Sequence, residues 1–292
     1  MTARDGKRIT LHPGRSGRAT AERLAFEDEL IAIKPDQIDG NAANLPELIE
    51  APLKAAGLLQ VLRPDDPKLA FYLRLAGRAT LAACRLAEPG TGPVSVDFGL
   101  GRVHALPRTE DDALVDPIGL TTGIYAAMAA RDRETSEALA GVDLGLLRPA
   151  GVEVEKWAID WAQALQGFVL GADWAGEVLK QALEEADPEQ YPEGSPAYAW
   201  CADIANPVIA LCISTAGTAE DFNTALRAAL EAHRTYYGER RFDPPEYQEN
   251  SPAGFIALGP LAFAVAMHDR GWPITVESDY LPRSLIEPAA KT

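Results

Sequence analysis

The residues best suited to chemistry are few and scattered. The histidines are His12, His104, His233 and His268. His268 is followed by Asp269, the pair that helical phosphohydrolases combine with a distant His and Asp to hold a metal. His233 upstream and Asp279 downstream are the residues of suitable type. Ligation requires donors that converge from several elements, and Asp279 follows too soon after a turn to be expected among them. His268 is expected instead to hydrogen-bond the last carbonyls of a helix and to suit its negative end. No HExxH, CxxC, Walker or GxSxG pattern is present. Cys84, Cys201 and Cys212 have neither ligand spacing nor an even count, so buried reduced thiols are expected. Gly99 and Gly101 lack the third glycine and the strand–turn–helix context of a dinucleotide loop. The expectation is no catalytic residue, no metal and no cofactor.

Charge offers a different kind of site. Glu184, Glu185, Asp187, Glu189 and Glu193 form a cluster with no base among them. It reads either as a solvated helix end and loop or as a docking patch for a basic protein. The net charge is −16, which disfavours nucleic acid and anionic membranes, because like charges repel. Tyr236-Tyr237 with Arg240-Arg241 reads either as a group that stacks on or binds an anion or, preferred here, as packed tyrosines beside solvated arginines. The five tryptophans, Trp157, Trp161, Trp174, Trp200 and Trp272, read as core rather than as a ligand cage.

Helices must position these residues. Thr20–Ile33 places Phe26, Leu30 and Ile33 on one face and stops at Lys34-Pro35. Pro46–Leu62 follows, with a possible break at Pro52. Asp66-Pro67 starts a helix with the stripe Leu69, Leu73, Ala76, Thr80 and Cys84. Residues 94–106 read as a β-hairpin around Gly99-Leu100-Gly101, with the acidic Glu110-Asp111-Asp112 after it. Further helices are expected at Pro117–Ala130, Arg133–Leu139, Glu153–Val169, Trp174–Ala186 under an Asp173 cap, and Pro196–Ser214. Thr218–Asp221 has capping-box form ahead of a stripe of Phe222, Leu226, Ala229, Leu230, His233 and Tyr237. The uncharged run Gly254–Met267 is too short to span a bilayer and reads as a helix buried on all sides. Gly271 and Pro273 close it.

The fold class is therefore mainly all-α, an irregular or solenoid-like multi-helix bundle with a small β-hairpin near residues 94–106. Residues 1–18, rich in Arg and Gly, read as a mobile basic tail. Residues 19–292 read as a single helical domain, with a soft boundary at Gly141–Gly151. The charged first residues carry no apolar signal-peptide core, so a cytoplasmic location is expected.

Three segments resemble the immunity protein 49 family of bacterial polymorphic toxin systems. They are Ile124–Arg133 running into Glu137–Ala140, Leu226–Tyr237 (LRAALEAHRTYY), and Gly254–Pro282 with GFIALGPLAFAVAMHDRG and VESDYLP. Their order is that of the family. The resemblance implies an all-helical protein that binds and neutralises a cognate toxin encoded nearby, and that is not an enzyme. A basic toxin would suit the acidic charge. The alternatives are a helical adaptor or scaffold and a helical metal-dependent hydrolase. No binding residues transfer from the family, and Tyr280-Leu281-Pro282 reads as an anchor after the turn.

Overall fold

Apolar spacing of three and four residues makes one helix after another, and up to residue 238 each stacks mainly on a sequence neighbour. The computed structural model describes residues 7–12, 17–38, 41–108, 114–147, 154–240 and 251–288. Helices α1 (Gly17–Ile38), α2 (Leu45–Leu62), α3 (Lys68–Ala87) and α4 (Pro117–Ala129) pack in succession. α4 also meets α5 (Arg133–Ala140) and α6 (Lys156–Leu170), and α6 meets α7 (Ala175–Glu185). Next come α8 (Pro196–Trp200), a π-turn at Cys201–Ala205, α9 (Asn206–Ser214) and α10 (Ala219–Gly238). The last helices are α11 (Leu258–Asp269) and the short α12 (Arg283–Ile286). The protein is mainly α-helical. Between α3 and α4, β1 (Val94–Asp97) pairs antiparallel with β2 (Val103–Leu106), with Gly99 and Gly101 at positive φ in the turn. The acidic residues 110–112 lie outside the described residues.

α11 is the centre of the core. It packs on α4 and also meets α9 and α10. Phe263 is wholly buried, and its ring touches Tyr125, Trp161 and Phe168. The helix begins at Leu258, later than expected, after a 3-10 turn at Pro252–Phe255. That start puts Pro260 in the first turn, where its missing N–H would have no partner anyway. The far end closes as anticipated. Gly271 has φ +87°, and the Trp272 N–H reaches the Met267 carbonyl at 3.0 Å. Stretches 196–214 and 252–269 are apolar and long enough to cross a membrane, but 67% of the second is buried in the protein.

Two prolines expected to end or break helices do neither. α1 runs through Pro35 and α2 through Pro52. A mid-helix proline costs about 3 kcal/mol, and packing offsets it here: Ile38 beyond Pro35 is buried, as are Leu48, Ala51 and Ala55 around Pro52. The expected face of α1 was also wrong. Phe26 and Ile33 are exposed, while the buried stripe is Thr20, Leu24, Glu27, Ile31, Lys34 and Ile38. Two of those are charged and paired: Glu27 with Arg23 at 2.7 Å, Lys34 with Glu47 of α2 at 2.6 Å. Asp173 does not cap α7, because a backbone bond from Ala175 N–H to Ala172 closes that turn and Trp174 occupies the cap position.

Within residues 7–12, read from sequence as part of a tail, Ile9 and His12 are buried. Ile9 forms a parallel bridge with Ser278, its N–H bonding Glu277 O at 3.0 Å and its carbonyl accepting from Asp279 N–H at 2.9 Å. Among the described residues one buried cluster runs from Ile9 to Ile286 and includes residues on both sides of the stretch 141–147; residues 148–153 lie outside the described residues.

Candidate functional site

Three neighbourhoods contain the residues capable of chemistry or recognition. The first is the His-Asp pair. Asp269 is held by Arg131, whose guanidinium bonds both carboxylate oxygens at 2.8 and 2.9 Å and also donates to the Ile286 carbonyl at 2.9 Å. Asp279 takes Arg8 at 2.6 Å and the Leu11 N–H. Each carboxylate is thus committed to an arginine that ties chain segments together. His233 is directed elsewhere, its Nε2–H donating to the Gly254 carbonyl at 2.9 Å. Among the described residues no three His, Cys, Asp or Glu side chains gather as a metal site would require. The three thiols are buried, and burial pushes Cys84 and Cys212 up to about 12 and Cys201 up to about 11.

The second is an aromatic cage that sequence reasoning missed. His12 lies stacked against Phe255 at 5.1 Å and against Tyr237 and Tyr280 at 5.9 Å. The Tyr280 hydroxyl accepts the His12 backbone N–H and shares a second hydrogen bond with His12 Nδ1, both at 2.9 Å. His233 meets Tyr237 and Tyr280 from the other side. Burial pulls the His233 pKa down to about 4; the Gly254 carbonyl opposes this and nearby His12 adds to it. The only signal in the sequence was His12 itself, set in a stretch that composition assigns to a tail.

The third combines the acidic cluster with a groove beside it. Glu184 and Glu185 lie in the last turn of α7, which has no basic residue to complement the helix dipole. Glu185 pairs at 2.6 Å with Lys156, brought from α6. Asp187 caps the short turn Pro188–Gln190 by accepting the Glu189 N–H at 3.0 Å. Glu184, Glu189 and Glu193 face solvent. The structure adds Glu155, which accepts the Tyr191 hydroxyl at 3.1 Å. So two of the five predicted acids have local structural partners, and a sixth joins from the start of α6.

The groove is a cavity of about 230 Å³. Ile118 and Thr122 of α4 line one wall, Trp157 and Trp161 of α6 another, and Trp200 with Asp203–Ala205 a third; His233 and Tyr237 of α10 with Ala253, Ile256 and Leu258–Pro260 complete it. The π-turn shapes the third wall. Asn206 N–H bonds to Cys201 O five residues back, and Pro207 follows, unable to donate at all. Such single π-turns concentrate at functional sites. The walls are fixed: Trp161 Nε1–H donates to the Tyr125 hydroxyl at 2.8 Å, and Arg240 bonds Asp203 at 2.6 and 3.3 Å. Arg240 is therefore a paired residue at the groove, not the solvated one expected, and Arg241 lies outside the described residues. Of the tryptophans, Trp157 and Trp161 are buried as expected yet line the groove, while Trp174 is exposed.

The family model described as immunity protein 49 matches residues 64–285. No curated protein and no solved structure matches the chain. The three segments that carried the resemblance in sequence converge in space: α4 and α10 both pack on α11, and all three contribute to the groove.

Proposed function

Because the chain belongs to the immunity protein 49 family, we propose that it protects the cell that makes it by binding a cognate toxin domain and covering that domain's active surface. The family match over residues 64–285 carries this reading. It acts by binding rather than by catalysis, in the cytoplasm, without metal or cofactor. Its partner is a basic toxin domain, drawn by the charge of −16. Opposite charge speeds encounter and sets a salt-dependent association rate.

The end of α7 supports a docking role for the acids. Carboxylates in a helix's last turn face its negative pole, at a cost of a few tenths of a kcal/mol each. Lys156 offsets one of them. Glu184 gains no such compensation from α7. Local preference is commonly violated where a surface serves a partner.

Co-expression tests the reading. The toxin domain encoded by the adjacent open reading frame is expected to be lethal alone and tolerated with this protein. The purified pair is expected to elute as one complex. Absence of rescue together with absence of a complex would overturn it in favour of an adaptor.

A further inference from the structure

We propose that the groove between α4, α6, the π-turn and α10 is the socket that receives an apolar anchor side chain of the toxin, presented on a segment carrying Lys or Arg. This rests on the toxin-binding reading and adds the place and chemistry of contact.

Size separates an anchor from a small ligand. Pockets for cofactors and drug-sized molecules occupy roughly 300–1,000 Å³, whereas this one holds about 230 Å³. That suits one large side chain entering from outside. Interfaces place their dominant residues in this way, as aromatic or aliphatic anchors in pockets that exclude water. The mouth is lined by partly exposed residues: the apolar Ile118, Trp200 and Ile204, and Thr122, whose hydroxyl is spent on the Ile118 carbonyl. Its walls are held by the Trp161–Tyr125 and Arg240–Asp203 bonds, so little ordering is required when an anchor arrives.

Charge decides the occupant's flanks. From Lys180 to Arg227 the chain contains no lysine or arginine, while Glu184, Glu185, Asp187, Glu189, Glu193, Asp203, Glu220 and Asp221 all fall within that interval. The third wall of the groove, Trp200–Val208, belongs to it. Glu155 and Asp187 lie close enough to the π-turn to act on Cys201. Among the described residues, Lys156 is engaged with Asp160 and Glu185, and Arg240 with Asp203. A basic flank beside an apolar tip complements this surface. An acidic flank would be repelled.

The test uses the full chain and the toxin domain encoded by the adjacent open reading frame. Ile204→Trp fills the groove from a partly exposed position. With an unchanged melting transition, it is expected to speed dissociation at least tenfold while association stays within about twofold, as for loss of an anchor. Thr122→Met fills the opposite wall and takes its place if the first variant misfolds. Hydrogen exchange on the wild-type complex needs no variant: amides in 118–122 and 200–206 are expected to slow on binding. Dissociation unchanged in a folded variant, or protection confined to other segments, overturns the socket and leaves the toxin-binding reading intact. A small apolar molecule retained through purification, seen as added mass by native mass spectrometry, overturns it too. No complex with the wild type removes both.

Discussion

His233 and Tyr237 wall two spaces that are filled in opposite ways. On one side His12, with Phe255 and Tyr280, closes a cage with stacked rings and a shared hydroxyl. On the other side the same two side chains border the groove, whose mouth residues remain partly exposed. Both spaces are apolar and both are built on α10 and the segment after residue 251. The difference is that the chain brings one of its own residues to the first. A protein that stabilises one face with its own side chain and leaves the adjoining face open divides folding from recognition, and substitutions should sort accordingly.

The largest expected effect removes the support of both spaces. Phe263→Asp buries a charge among Tyr125, Trp161 and Phe168, at a cost of several kcal/mol against a whole-domain stability of about 5–15 kcal/mol. The variant should be unfolded or insoluble by circular dichroism and solubility. Retention of the native melting temperature would place α11 outside the core.

Acid should act on the cage. His233 titrates near 4 in the folded protein, below its ordinary 6.5. Between those values the unfolded chain takes up the proton and the folded protein does not. The stability that His233 contributes by staying neutral is therefore full above about pH 6.5, is lost as the pH drops toward 4, and changes no further below. The 2.5-unit gap amounts to about 3 kcal/mol. Urea midpoints measured across this range should show the decline, and His233→Gln, which still offers a donor to Gly254 O, should flatten it. An equal slope in the variant would assign the acid sensitivity elsewhere.

The smallest effect on stability belongs to the acidic end. Glu184→Lys with Glu189→Lys should change unfolding free energy by no more than about 0.5 kcal/mol, as for exposed positions. Glu185 is left alone because Lys156 depends on it. Association with the toxin domain, followed by stopped flow at low salt, should slow about tenfold. An unaltered rate would move the docking face away from α7.

Much of the helical scaffold was legible because it obeys local rules. The α3 stripe from Leu69 to Cys84, the Thr218–Asp221 capping box and the Gly271 stop all stand as read. α1 was misread because its buried stripe includes Glu27 and Lys34, and the partner that makes Lys34 tolerable there lies on another helix. Pro35 and Pro52 misled for a related reason: packing outweighed propensity. The groove was invisible in sequence because its walls come from positions 53 to 260 and its residues look like ordinary core. The acidic cluster was found from composition, but its division into cap, ion pair and exposed carboxylates required the fold.

The bridge between Ile9 and Ser278 also sets an order in time. His12 and the tyrosine that holds it are separated by 268 positions, and a ribosome adds residues at about 5–20 per second. The cage can close no sooner than about 13–54 s after His12 is made. Tyr280 follows Tyr237 by 43 positions, so for about 2–9 s of that synthesis His12, His233 and Tyr237 wait for the ring that completes the cage. A truncated product ending before residue 277 could never complete that closure. Protection against a toxin would accordingly come from finished molecules, and the lag between transcription and protection would include this interval of synthesis.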